Sequence, residues 1–344
     1  MKAKLLFPII LSILICFSSC KRHVEIAFLM DNFKQDRWSK DRDLFMQRAM
    51  ELGGKVILMV AEGDASKQLQ QAREVLQEKV DILVVVPVDQ FSAANIVGMA
   101  HKYNVKVISY DRLIRNCDLD LYVSFDNIEV GRLQADYLTK VCPKGKFALI
   151  GGATNDNNSS LIKLGQMNVL QPLIEKGDIE VVFDQFVDKW SQDEGYKLMK
   201  NCLESNKKVD AVLLANDDLA TGAARAIEEA KLTGKVYIAG QDADLAGCKR
   251  IVSGTQTMTV YKPIEAIAFK AADAAIKMAR GEVLGNSTPS VNNGKMMVPS
   301  ILLPPMSVNK ETIKLTVVAD GYLQENNIFT KKSEKKKSSP VNKH

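Results

Sequence analysis

Polar side chains gather where apolar runs end in this chain. The run Val236-Tyr237-Ile238-Ala239 reads as a buried strand and gives way to Gly240-Gln241-Asp242-Ala243-Asp244, where two carboxylates and an amide crowd one turn. A short helical piece, Leu245 to Ile251, is stopped by Gly254, and a second strand, Gln256 to Tyr261, ends on Lys262-Pro263. Arg37, Asp111, Arg112, Asn157, Asn158 and Asn216 stand at comparable places after other apolar runs. Most of these groups are planar and bond in pairs, so they suit a ligand that offers donors and acceptors at fixed spacing.

Catalytic alternatives find little support. The three histidines are His23, His101 on an apolar-faced helix, and the terminal His344, and none is placed to activate a nucleophile. No glycine-rich phosphate cradle of the dinucleotide or P-loop type follows a strand. Asp242-Ala243-Asp244 resembles half of a calcium loop, without the glycine and distal glutamate at the required spacing. No catalytic residue, metal or cofactor is expected.

Vicinal hydroxyls are the ligand groups that best match such a polar set. Each hydrogen bond to a charged partner contributes about 1.5–3 kcal/mol, so a few reach the ~8 kcal/mol of a micromolar ligand. Taken singly, each residue has an ordinary reading too: Asp111-Arg112 as a local ion pair, Asn216 as a helix cap. Recurrence at successive strand ends is what favours a site. The two tryptophans, Trp38 and Trp190, lie among charges in Asp-Arg-Trp-Ser-Lys and Asp-Lys-Trp-Ser-Gln. Surface packing is one role for them; the other is to lay an aromatic plane on the C–H face of a sugar ring.

The elements that must position these groups alternate. Strands are expected at 23–30, 55–60, 82–86 and 105–110, with helices from Arg37, from Asp64 to Glu78 and from Phe91 to Tyr103. A second series starts near Phe125: helix 129–140, strand 146–150, a helix to about Glu175, strand 179–183, the loop 184–191 carrying Trp190, a helix to Leu203, strand 211–215 and helix 219–231. This alternation predicts right-handed βαβ units and parallel sheets, an α/β fold. Lys79-Val80-Asp81-Ile82 and Lys208-Val209-Asp210-Ala211 open similar units, each followed by a lysine 26 residues beyond its valine, and the next strands end in Asp111 and Asp242. The repeat predicts two lobes of one design facing one cleft, joined by three hinge crossings near Phe125, Thr259 and Pro299. The Ala-rich helix 264–280 is expected back on the first lobe, and Leu315–Val318 as an edge strand. The domains expected are 24–126 with 262–297, and 127–261 with 298–330.

The termini differ from this body. Lys2 and Lys4, the apolar run Leu5 to Phe17 and Ser18-Ser19-Cys20 predict a signal peptide over 1–19 and a lipid on Cys20, anchoring an exported protein in the periplasm or cell envelope. The formal net charge is +5, and residues 331–344, with six lysines and one glutamate, carry all of it. That tail is read as disordered, and the rest has no basic surface for nucleic acid. Cys117, Cys142, Cys202 and Cys248 lack metal-site spacing and are expected as isolated buried thiols.

Several stretches are also recognisable: Asp-Arg-Trp-Ser-Lys-Asp-Arg-Asp (36–43), Ser-Tyr-Asp-Arg (109–112), Ser-Phe-Asp-Asn (124–127), Asp-Asn-Asn (156–158), Gly-Gln-Asp-Ala-Asp-Leu-Ala-Gly (240–247) and Gly-Thr-Gln-Thr-Met-Thr-Val-Tyr-Lys-Pro (254–263). They resemble the type I periplasmic sugar-binding family over roughly residues 24–325. The resemblance implies a monomer of two Rossmann-like parallel-sheet lobes with a pentose, D-xylose first, in the cleft, and delivery of it to an ABC permease. It implies Arg37, Asp111, Arg112, Asn158, Asn216, Asp242 and Lys262 as the polar ligand set and Trp38 and Trp190 as a stacking pair. The lipid anchor and the Lys-rich tail depart from the family pattern. A sensor ectodomain coupled to a membrane signalling protein would use the same cleft and stays open at this point.

Overall fold

Val24 to Met30 and Ile82 to Val85 are apolar almost throughout, as a strand must be when helices cover both of its faces. A computed structural model, which describes residues 23–205, 208–284 and 289–329, places them side by side within a sheet, each with a strand on either side. The signal peptide, Cys20 and the Lys-rich tail lie outside the described residues.

The chain runs β1 (Val24–Met30), α1 (Arg37–Glu51), β2 (Gly54–Val60), α2 (Ala65–Gln77), β3 (Ile82–Val85), α3 (Ala94–Lys102), β4 (Lys106–Tyr110) and β5 (Leu121–Phe125). It then crosses to α4 (Asn127–Val141), β6 (Gly145–Ala153), α5 (Asn157–Glu175), β7 (Ile179–Val187), α6 (Gln192–Glu204), β8 (Ala211–Leu214), α7 (Asp217–Glu229), β9 (Tyr237–Ala239), α8 (Leu245–Ser253) and β10 (Thr259–Tyr261). It returns through α9 (Ile264–Ala279), β11 (Ser290–Asn292) and β12 (Met297–Leu303), and finishes with β13 (Met306–Val308) and α10 (Glu325–Ile328).

One sheet has the order β11-β12-β5-β4-β3-β1-β2 and the other β7-β6-β8-β9, so each half places its second strand at an edge beside its first. Neighbours are parallel, apart from β11 against β12. The α/β reading with two Rossmann-like sheets therefore holds. A short antiparallel pair, β10 with β13, lies beside the second sheet, with Met258 bridging to Ala239.

Helix starts bring polar groups to the carboxyl ends of the strands. The side chains of Asp126, Asp156, Asn216 and Asp244 cap α4, α5, α7 and α8 by accepting from backbone N–H groups. Two tight helix crossings set where those ends sit. A Cβ on Gly131 would fall 1.9 Å from the Ile162 carbonyl oxygen, and one on Gly165 the same distance from that of Ile128, so α4 and α5 pack backbone to backbone. Gly195 and Gly222 do the same for α6 and α7. The Ala-rich helix α9 packs its Ile267, Ala271 and Ala275 with Phe28 and Phe45 against the first sheet.

Four features differ from the sequence expectation. Leu121–Phe125 is a fully buried strand where none was assigned. β7 extends through Asp184 to Val187, because an edge strand tolerates the polar residues that suggested a loop there. β12 carries Pro299 and continues to Leu303 in the first sheet beside β5. The third crossing is thus at Pro304-Pro305, not near Pro299, and the boundary drawn before residue 298 moves to about 303. Leu315–Val318 belongs to a helical turn, Lys314–Val318, in which Val317 is buried and Leu315 points to solvent, so it adds no edge strand.

The α4–α5 crossing yields a direct test. Gly165→Ala drives a methyl into the backbone of α4 and is expected to lower stability by about 1–3 kcal/mol in denaturant titrations. Wild-type stability would contradict so close a crossing.

Candidate functional site

The strand ends of the two lobes line a narrow polar cavity, about 20 Å³. Its lining includes Arg37, Trp38, Asp111, Arg112, Asn158, Trp190, Asn216, Asp242 and Lys262, nine of the ten ligand-binding residues expected from sequence. Asn157 is the exception. It is buried one position earlier on α5, and a helix sends neighbouring side chains about 100° apart, so Asn158 faces the cavity and Asn157 does not line it.

Asp111 and Asp242 follow β4 and β9 and share an uncommon backbone. Their φ angles are 61° and 89°, in the left-handed region that side chains other than glycine's rarely adopt. Each donates its N–H to the next strand, Asp111 to Val123 O at 2.8 Å and Asp242 to Val260 O at 2.7 Å. Strain at equivalent places in both lobes turns the two carboxylates toward one another.

Two buried cations lie between them. Arg37, on the first turn of α1, donates through Nη2 to Asp111 Oδ2 at 2.9 Å and through Nε to Asp41 Oδ2 at 3.1 Å, with Nη1 3.5 Å from Asp242 Oδ1. Lys262, on the second crossing, has its Nζ 3.1 Å from Asp242 Oδ1 and 3.9 Å from Asp111 Oδ2. Burial by itself would raise the Asp111 carboxyl, but the charges of Arg37, Lys262 and Arg112 outweigh it and hold the group below its ordinary range. At Asp41 and Asp156 burial wins over the neighbouring arginine, and both carboxyls sit above theirs.

Other bonds cross the cleft. Arg112 pairs with Asp31 of its own lobe at 2.8 Å and with Asp156 of the other at 2.9 Å. Asn158 donates to the Asp111 carbonyl at 3.1 Å and accepts from Asn127 at 3.0 Å. Asn216 uses its Oδ1 to cap α7, accepting from Leu219 N at 2.9 Å, so its amide nitrogen remains for the cavity. The residue therefore caps a helix and lines the cavity at once.

The tryptophans differ in setting. Trp38 is 3% exposed, packs in the first-lobe core, donates to Gln35 Oε1 at 3.0 Å and lies under the Arg37 guanidinium, 4.5 Å from its ring centre. Trp190 is half-buried and rests on the Gly152 backbone, where a Cβ would fall 2.0 Å from the ring. Gln35, Asp156, Ile162 and Gln241 also line the cavity, and the sequence reading had not assigned them to the site. Gln241 and Asp156 adjoin assigned residues. Ile162 is one helical turn beyond Asn158, the single available signal for it.

The buried pair Arg37–Asp111 carries a pH signature. A carboxyl held below its ordinary pKa contributes stability that is present above the unfolded value near ~3.9 and is lost as pH falls through the folded value. Asp111→Asn should therefore cost about 3–5 kcal/mol at neutral pH, since it leaves Arg37 underpaired, and the gap to wild type should shrink in acid melts. A gap that keeps its neutral-pH size as the pH falls through and below the unfolded value would contradict the pairing.

Comparison with known proteins agrees with this geometry. Residues 26–283 match the family model described as "Periplasmic binding protein domain". The D-xylose-binding periplasmic protein of Haemophilus influenzae is 44% identical over 332 residues, covering 96% of this chain and 100% of that one. The protein of the same name from Escherichia coli is 44% identical over 308 residues, covering 89% and 93%. A carbohydrate transporter solute-binding protein from Chloroflexus aurantiacus, solved in complex with D-glucose, superposes with a TM-score of 0.82 at 27% identity, covering 88% of this chain and 97% of that one. Two facing parallel-sheet lobes, a polar cleft at their strand ends and a match running through both place this chain in the periplasmic binding protein family.

Proposed function

We propose that this chain is an extracytoplasmic binding protein that captures a monosaccharide, D-xylose, between its lobes and delivers it to an ABC permease. The observation that carries the reading is the set of buried polar atoms that lack a hydrogen-bond partner among the described residues. Three of the seven, Trp190 Nε1, Gln241 Oε1 and Asp242 Oδ1, belong to cavity-lining residues. Asp242 Oδ1 is flanked by two cations yet aligned with neither for a hydrogen bond. A ring bearing neighbouring hydroxyls supplies both donors and acceptors to such a set, and each buried polar atom left unmet costs about 1–3 kcal/mol.

The identity of the sugar rests on the two relatives named for D-xylose. Trp38 and Trp190 would bracket the pyranose ring, with Asp111 and Arg37 of one lobe and Asn216 and Asp242 of the other bonding its rim. The role proposed is binding, the role for which the two relatives are named. Export, attachment of a lipid at Cys20 and a monomeric state belong to the same proposal, on the strength of the Ser18-Ser19-Cys20 segment and the periplasmic relatives.

Calorimetric titration tests the assignment. A pentopyranose lacks the exocyclic CH₂OH of glucose, and added bulk in a tight cleft costs ~1–3 kcal/mol, so xylose should bind at least about tenfold tighter than glucose. Trp190→Ala should weaken xylose and narrow that gap. Glucose or ribose binding as tightly as xylose would overturn the pentose assignment. Asp242→Ala should lose ~2–4 kcal/mol of xylose affinity and also lower the melting temperature, since it leaves the buried Lys262 without its nearest carboxylate; wild-type affinity in the folded variant would remove Asp242 from the site.

A further inference from the structure

Asp217 lines no part of the cavity, yet it touches most of what shapes the second lobe's side of it. It is 1% exposed at the start of α7, next to Asn216. Its Oδ1 accepts from Gln256 Nε2 at 2.7 Å, and its Oδ2 from Thr259 Oγ1 at 2.8 Å and from the Asp244 N–H at 3.1 Å. Its own N–H donates to the Gln241 carbonyl at 2.8 Å. The turn from Gly240 to Asp244 is thus tied at both ends to one residue. That turn carries Gln241 and Asp242 into the cavity and passes through two successive left-handed residues, Asp242 and Ala243.

The carboxylate also lies against two glycines, Gly240 at the start of the turn and Gly247 in α8. A Cβ on Gly240 would fall 1.9 Å from Asp217 Oδ1, and one on Gly247 2.5 Å from Oδ2. The first lobe solves the equivalent problem without a carboxylate: the left-handed Asp111 has its carbonyl held by the hydroxyls of Ser124 at 2.6 Å and Tyr122 at 3.0 Å. Asp217 is an expensive choice for a merely architectural position, since burial and the nearby Asp244 push its carboxyl well above the ordinary range.

We propose that Asp217 is a positioning residue for ligand binding: its carboxylate, held by Gln256 and Thr259, fixes the strained Gly240–Asp244 turn so that Gln241 and Asp242 meet the ligand. The inference rests on the sugar-binding reading above. A strained turn persists only when its surroundings over-determine it, and preorganisation of this kind appears as affinity.

The experiment compares the full chain with Asp217→Asn, using D-xylose titration and amide hydrogen exchange of the sugar-free proteins. Expected are a loss of affinity of about tenfold and faster exchange confined to residues 240–244, with the second-sheet strands protected as in wild type. Gln256→Leu, which removes the donor to Asp217 Oδ1 and whose hydrogen bonds reach no residue of the 240–244 turn, should show the same pattern at about two- to fivefold, and it carries the test if Asp217→Asn does not fold. Affinity within twofold of wild type in the folded variants overturns the proposal, as does exchange that rises across the second-lobe core as much as in the turn. A wild-type chain that binds none of the monosaccharides instead overturns the sugar-binding reading, and this inference with it.

Discussion

Two aspartates, one from each lobe, face two shared cations in the cleft, and the rest of the molecule answers to the cost of burying those charges. Charges taken out of water persist only when paired and hydrogen-bonded. Asp111, Arg37 and Lys262 are each almost fully buried. Their mutual arrangement requires Arg37 on the first turn of α1, Lys262 on a chain crossing, and left-handed backbone at both aspartates. The element order serves that geometry, because the strand-to-helix junctions after β1, β6, β8, β9 and β10 deliver polar groups to the same crevice.

Stability and closure are carried by different contacts. Each of the five hydrophobic clusters stays within one lobe, so each lobe has a core of its own. Contacts across the cleft include many polar ones: Arg37 with Asp242, Arg112 with Asp156, Asn158 with Asp111, Lys40 with the Tyr322 carbonyl, and Gln90 with the carbonyls of Thr154 and Asn155. Polar contacts exchange for water at modest cost, whereas an apolar interface would resist opening. The lobes can therefore separate without unfolding, and a guest that bonds to both sides shifts them toward the closed arrangement.

Much of this was legible in the sequence, for physical reasons. Strands buried on both faces are apolar throughout, and the Val80 and Val209 units share a spacing that brings Asp111 and Asp242 to matching strand ends. What was missed depended on tertiary context. Pro299 reads as a break, yet it sits where β12 meets only the three-residue β11, and the neighbouring Ser300 N–H bonds to the Pro289 carbonyl. Leu315–Val318 has the apolar content of a strand, but its buried Val317 and exposed Leu315 follow a helical turn. Asn157 and Asn158 are chemically identical, and only the phase of α5 separates them. The four cysteines fall in four different hydrophobic clusters, which explains why their spacing carries no motif.

The central claim is that a sugar bonded to both strained aspartates holds the lobes together. Small-angle scattering of the chain with and without saturating D-xylose tests it most directly. The account predicts a smaller radius of gyration in the presence of xylose. An unchanged radius under conditions where calorimetry shows the site filled would contradict closure by the ligand.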